Sequence, residues 1–358
     1  MSAAQWVADR LPSDRRHLDA AACGRISPAV LEAQSAFLQA EAEVGGYVAE
    51  AAATAEVDAG REALGALVGL PGEGTCLFDG GGTAFQVLLD AWPLGRGARI
   101  GTVTGEYGGN ARVLRDRAAL RGWELVQLEV DDLGRITSVP AGLDLVTFPQ
   151  VLSQRGVVQP AADVIATGAP VLLDVAQAAG QVEVPVGAAA YVGTSRKWLC
   201  GPRGVGFACV AGDVELADPP TLNAANYPGT TKRFDSTEPH AAGRVGLALA
   251  ARTWSPAVIP VGLAAAAAAR VLLEGAGGWR VIEPVDEPTA ITTLWHEDLD
   301  PYAVRAELIA RGFVVSVVPV ARADDMTRPV LRVSTAAWVT PGDVEDLASA
   351  LESVGSTA

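Results

Sequence analysis

Short, continuously apolar runs alternate with stretches of helical periodicity between about residues 50 and 250, and no other feature restricts the possible folds as far. ARIGTVT, LDLVTF and APVLLDV are apolar at consecutive positions instead of every second one. Strands of that kind need cover on both faces, which parallel sheets sandwiched between helices provide. The pattern therefore predicts an α/β layer structure with a mostly parallel sheet flanked by helices. An alanine-rich helix is expected over Val261–Leu273, and after it the rhythm changes. PTAITTLW reads as a strand, DPYAVRAELIARG as a helix stopped by glycine, and FVVSVVPV and PVLRVST as two more strands. TPGDVEDLASALESV reads as a final helix, with Thr340 as its cap and Pro341 in its first turn. The expected organisation is a large domain over 21–255 and a smaller α+β domain over 256–358.

Lys197 is the most informative single residue. The chain has only one other lysine, Lys232, and its remaining cations are arginine. Arginine serves wherever a plain positive charge suffices, but its guanidinium stays protonated and cannot attack a carbonyl. A lysine amine can lose its proton and form a Schiff base. Lys232 reads as a surface lysine, whereas Lys197 stands between apolar residues and the glycines of YVGTSRKWLCGPRGVG.

Other chemistries have little support. Cys23, Cys76, Cys200 and Cys209 form no CxxC pair, and His17, His240 and His296 are far apart, so no metal site or disulfide framework is expected. A formal charge of −15 argues against nucleic acid or an anionic membrane as partner. The N-terminus has no apolar core of signal-peptide length and no run spans a bilayer, which predicts a cytoplasmic protein.

Two further segments frame the lysine. In FDGGGTAFQVLLDAW, Gly80–Thr83 lead into a helix with Phe85, Leu88, Leu89 and Trp92 on one face. A glycine-rich helix start suits a phosphate, though a plain tight turn explains it as well. In APVLLDVAQAAG, Asp174 ends an apolar run, at the strand edge where α/β sheets place ligands; the alternative is a helix N-cap. Gln177 follows at one-turn spacing. A phosphate cradle, a strand-end carboxylate and a lysine on the next strand together describe a pyridoxal phosphate site.

These motifs are similar to those of the class V aminotransferase family of fold-type I pyridoxal phosphate enzymes, which includes the cysteine desulfurases, and the similarity covers nearly all of the chain. HLDAAACGRISPAV looks like the family's entry segment, and residues 1–20 are expected to pack against the small domain. The resemblance implies a phosphate loop at Gly82 and Thr83. In TGEYGGNA, Tyr107 replaces the histidine stacked on the cofactor ring in Glu-His-x-x-Asn. Gln154 in FPQVLSQRGVVQP stands for the asparagine near the cofactor's phenol oxygen. DVAQ implies Asp174 and Gln177 as cofactor contacts, and TSRKWLCGPRGVG implies Thr194, Arg196 and the Schiff-base Lys197. RFDSTEP points to Thr237 as a phosphate contact across a homodimer with shared active sites. VLRVSTAAWVTPGDVEDL resembles the closing motif whose arginine, here Arg332, grips the substrate carboxylate.

The desulfurases need a cysteine on a C-terminal loop, and no cysteine follows Cys209. EVGGYVAEAA, GTSRKW and AAGRVGLALAAR resemble the carbon–sulfur lyases of ergothioneine biosynthesis. That resemblance implies β-elimination from hercynylcysteine sulfoxide, giving ergothioneine by way of its sulfenic acid, with pyruvate and ammonia. Tyr47 and Glu43 are candidates for contacting the substrate's trimethylammonium group; an ordinary helix–turn explains them equally well. An aminotransferase, an epimerase, a desulfurase using one of the earlier cysteines and a non-catalytic cofactor-binding relative remain alternatives.

Overall fold

The computed structural model describes residues 1–355 and builds them around two main sheets. The larger has seven strands, in the order Thr75–Phe78, Gly206–Val210, Ala190–Thr194, Val171–Asp174, Leu145–Pro149, Arg99–Thr102, Glu124–Gln127. From Ala190–Thr194 to Glu124–Gln127 all neighbours are parallel, and Gly206–Val210 runs against both of its partners. Six strands thus point the same way, and their carboxyl ends form one edge of the sheet.

Alternate residues of these strands enter different cores. Leu172 and Val192 pack with Phe85, Leu88, Leu89 and Trp92 on one face. Leu173, Phe148 and Tyr191 pack on the other, in a core that continues without a break to Leu294, Leu331 and Leu351. Burial on both faces accounts for the continuously apolar strand sequences, each large side chain contributing about 1.5–3 kcal/mol.

The second sheet has four strands, in the order Arg280–Val281, Ile291–Trp295, Val330–Ser334, Ser316–Val318, all antiparallel. The helix Val258–Leu273 leads into it, starting three residues before the expected Val261. FVVSVVPV is not one strand. Phe313–Val314 pairs in parallel with Arg16–His17, while Ser316–Val318 pairs with Val330–Arg332. The N-terminal segment meets the smaller sheet and the loop after it at several points. Trp6 stacks on Trp338 at 5.9 Å, and Ser334 N–H donates to Leu18 O at 2.8 Å. Among the described residues no single helix is long and apolar enough to cross a membrane; the pair Ala241–Thr253 and Val258–Leu273 would qualify only together, and it bends by 86° at its break.

Candidate active site

The carboxyl edge of the large sheet brings seven of the expected residues into one cleft. The strand Val171–Asp174 ends at Asp174 and the adjacent strand ends at Thr194, three residues before Lys197. A tight turn then holds the lysine. Cys200 N–H donates to Lys197 O at 3.0 Å, Gly201 N–H to Ser195 O at 3.0 Å and Gly24 N–H to Arg196 O at 2.7 Å. Cys200 closes this turn with φ of 55°, a left-handed conformation unusual outside glycine. Gly24 is required opposite it, because a Cβ there would lie 2.3 Å from Lys197 O.

Lys197, Asp174, Gln177, Thr194, Arg196, Tyr107 and Gly82 all line the cleft. Asp174 Oδ1 accepts from Ala176 N–H at 2.8 Å and Oδ2 from Asn110 Nδ2 at 2.9 Å. Burial pushes its carboxyl above the usual range, against the charge of Lys197 and these two donors. Lys197 responds in the opposite sense. Burial lowers its amine to about 7; Asp174 resists the shift, while Arg196, Arg332 and Arg322 add to it. Gln177 is fixed by donating to Ala21 O at 3.0 Å and accepting from Trp198 Nε1 at 2.9 Å. Arg196 donates to Ala22 O.

Other expected residues do not line the cleft. Thr83 is exposed on the first turn of the helix Gly81–Ala91 and its side chain does not line the cleft. Gln154 is buried, but its amide donates to Asp325 at 3.1 Å and Gly105 O at 3.2 Å, and Ser153 lines the cleft in its stead. Arg332 lies behind Ser153, donating to its carbonyl at 2.9 Å with Asp19 at 3.8 Å. Burial lowers its guanidinium to about 10, opposed by Asp19 and reinforced by Arg322 and Arg196. Thr237 and Tyr47 face a separate cavity of about 390 Å³, also lined by Asp58, Arg61 and Lys232. Glu43 is exposed at the end of the helix Pro28–Val44 and lines neither space. Within one chain, therefore, Thr237, Tyr47 and Glu43 do not line the lysine cleft.

Sequence reasoning passed over Glu106 and Asn110, although both stand in the quoted TGEYGGNA. Asn110 Nδ2 bridges Asp174 and Glu106 Oε1, the latter at 3.2 Å. Burial, with the charge of Asp174, raises the Glu106 carboxyl to about 8. Arg322, which also lines the cleft, comes from a segment distant in sequence.

The cleft fits pyridoxal phosphate. The helix Gly81–Ala91 has no side-chain cap, and a Cβ at Gly82 would meet nothing within 4 Å, which leaves its first N–H groups open toward an anion. Around the same space Ser153 Oγ, Gln154 Oε1, Glu106 Oε2 and Arg332 Nε are buried without a hydrogen-bond partner. Native interiors seldom leave so many polar atoms unpaired in one place unless a polar ligand completes them.

No family model matches the chain. It is 39% identical over 375 aligned residues to a probable hercynylcysteine sulfoxide lyase of Mycobacterium tuberculosis (strain CDC 1551 / Oshkosh), an alignment covering 99% of this chain and 93% of that protein. The apo cysteine desulfurase of Thermococcus onnurineus NA1 superposes with a TM-score of 0.87 at 17% identity, covering 100% of this chain and 99% of that one. The cystine C–S lyase C-DES, in complex with its product cysteine persulfide, superposes with a TM-score of 0.84 at 18% identity, covering 95% and 98%. At such identities the two superpositions establish the fold, a fold-type I architecture shared over the whole chain.

Proposed function

We propose, proceeding from the fact that this chain belongs to the hercynylcysteine sulfoxide lyase family, that it is a pyridoxal phosphate-dependent C–S lyase that cleaves hercynylcysteine sulfoxide by β-elimination. The observation that carries the reading is the placement of Lys197 beside Asp174 in one cleft that none of the four cysteines lines. Burial raises the pKa of each of the four thiols: Cys200 to about 11, Cys209 to about 12, and Cys23 and Cys76 also upward. Thiols held protonated and out of the cleft are poor acceptors for sulfur.

When bound, pyridoxal phosphate supplies an electron sink for the pair left behind as the substrate's α-proton is removed. Lys197 is the residue assigned to hold it and Asp174 to face its ring nitrogen. Gly82, Thr194 and Arg196, with the backbone of Thr83, are assigned to its phosphate, Tyr107 to its ring face, and Gln177 with Gln154 to its phenol-oxygen side. Lys197 Nζ is also the base. With its proton affinity cut to about 7, it can take the Cα proton at neutral pH and return it later. Arg332, buried and paired with Asp19 only at 3.8 Å, retains capacity for the substrate's α-carboxylate.

In the reaction the Cβ–S bond breaks, and its electron pair leaves with sulfur as a sulfenate, which gains a proton. Water then converts the remaining three-carbon unit to pyruvate and ammonia. Reduction of the sulfenic acid by an external thiol gives ergothioneine. A sulfoxide leaves more readily than a thioether because the departing sulfenate is a weaker base than a thiolate.

We place the active protein as a homodimer. Leu38, Val44, Tyr47 and Val48 expose apolar surface beside the cavity that Thr237 faces, and a second copy seated there would bring these residues to a site on its partner. Assaying pyruvate and sulfide side by side tests the function. Hercynylcysteine sulfoxide should be converted faster than its unoxidised thioether or free cysteine, and preferred release of sulfide from free cysteine would refute the reading.

A further inference from the structure

The segment Pro319–Pro329, which carries the cleft-lining Arg322, is tied to the rest of the chain by ion pairs. Arg115 pairs with Asp324 at 2.5 Å and Arg155 with Asp325 at 2.8 Å, while Gln154 donates to Asp325. Its backbone also abuts the helix that carries Asn110. A Cβ on Gly108 would lie 2.3 Å from Ala321 O, so the chain comes this close only because residue 108 is glycine. These contacts engage both carboxylates of the segment with arginines from elsewhere.

Arg322 gets neither of them. It is half-buried, lines the cleft beside Lys197 and Tyr107, and lies over the Tyr107 ring with 5.4 Å to its centroid. Among the described residues no carboxylate lies within ion-pair distance of it and no acceptor takes its side-chain N–H groups. The neighbouring arginines each have an acceptor within the chain, Arg332 in Ser153 O with Asp19 at 3.8 Å and Arg196 in Ala22 O, and among the described residues Arg322 has none. In a chain with a net charge of −15, a guanidinium kept unpaired in a cleft already holding Lys197 and Arg196, with Arg332 behind its wall, needs a compensating anion.

We propose that Arg322 is a specificity-determining residue that binds a carboxylate on the departing, sulfur-bearing half of the substrate. The inference rests on the C–S lyase reading and narrows its substrate class to cysteine S-conjugates whose S-substituent carries a carboxylate. Hercynylcysteine sulfoxide belongs to that class through its betaine carboxylate. Arg332 is left for the α-carboxylate, and Arg322, which lines the cleft itself, offers a planar fork suited to bidentate contact with the second one.

The test uses the holoenzyme, its R322Q and R322K variants, and two cysteine sulfoxides of equal length, S-(2-carboxyethyl) and S-(2-carbamoylethyl). The native enzyme should favour the carboxylate. In R322Q the carboxylate-to-amide ratio of kcat/KM should fall by roughly 30- to 1,000-fold, chiefly through KM, with R322K between the two. Calorimetric dissociation constants for the corresponding unoxidised thioethers give the same ratio where turnover is absent. An R322Q ratio equal to the native one, or a native enzyme indifferent to the carboxylate, overturns the proposal. Intact selectivity for the carboxyethyl compound without cleavage of hercynylcysteine sulfoxide would instead reject that substrate and leave the role of Arg322 standing.

Discussion

Replacing Lys197 by methionine should make the cofactor-free protein more stable while abolishing turnover. The amine has an ordinary pKa of 10.5 and is held at about 7 in the folded chain. A folded-state pKa below the unfolded one means that the unfolded chain binds more protons between these values, so this lysine destabilises the fold as pH falls from 10.5 to 7. At about 1.4 kcal/mol per unit, the full shift corresponds to roughly 4–5 kcal/mol at and below pH 7. The side chain is only half-buried, at the surface of an open cleft, so about half, some 2 kcal/mol, is the reasonable expectation. Methionine keeps the length of the side chain and removes the charge. Denaturant titrations of native and K197M apoprotein at pH 6, 7, 8.5 and 10 measure the difference directly. The variant should be the more stable at pH 6 and 7, with the gap closing toward pH 10. Equal stability at all four values, or a gap that widens with pH, would refute the claim that Lys197 is held in a desolvated, activated state.

Further outcomes follow from the same geometry. Glu106, raised from 4.5 to about 8, disfavours the fold increasingly as pH rises through that window; Glu106→Gln should therefore stabilise the protein by up to about 3 kcal/mol at pH 7 and not at all below pH 4 in thermal or urea denaturation. Arg332→Lys retains the charge but loses the fork, and steady-state assays should show kcat/KM lowered roughly 30- to 1,000-fold, with a smaller change in stability. Borohydride reduction of the holoenzyme followed by peptide mapping should place the cofactor label on Lys197; a label on Lys232 would remove the site assignment. Sedimentation should give a dimer that loses cofactor on dilution, and a fully active monomer would contradict the assignment of Thr237 across subunits.

The parts of the site that lie on strand ends were legible in the sequence. Asp174 and Thr194 close apolar runs whose both-face burial dictates a parallel sheet, and Lys197 follows by one short turn. The helix after the glycines was legible too, because Phe85, Leu88 and Leu89 repeat at helical spacing. What escaped depends on contacts between distant segments. Gln154 donates its amide to the carboxylate of Asp325 and leaves its Oε1 without a partner, and nothing near residue 154 foretells that contact. Arg322 reaches the cleft through ion pairs made by its neighbours Asp324 and Asp325 with Arg115 and Arg155, a property of tertiary packing. FVVSVVPV was read as one strand because its apolar character is unbroken; it splits at Val315 because the N-terminal Arg16–His17 claims its first two residues. Glu106 and Asn110 carried a usable signal, a carboxylate and an amide four positions apart at a helix start, and their function shows only once Asp174 stands opposite.

The most direct test of C–S elimination follows the sulfur atom. Intact-protein mass spectrometry during turnover of hercynylcysteine sulfoxide, with pyruvate measured in the same samples, reports whether sulfur leaves on the product or stays on the chain. The account predicts steady accumulation of pyruvate with the protein mass unchanged throughout. A population of chains heavier by one sulfur atom, mapped to any of Cys23, Cys76, Cys200 or Cys209 and formed at the rate of turnover, would contradict it.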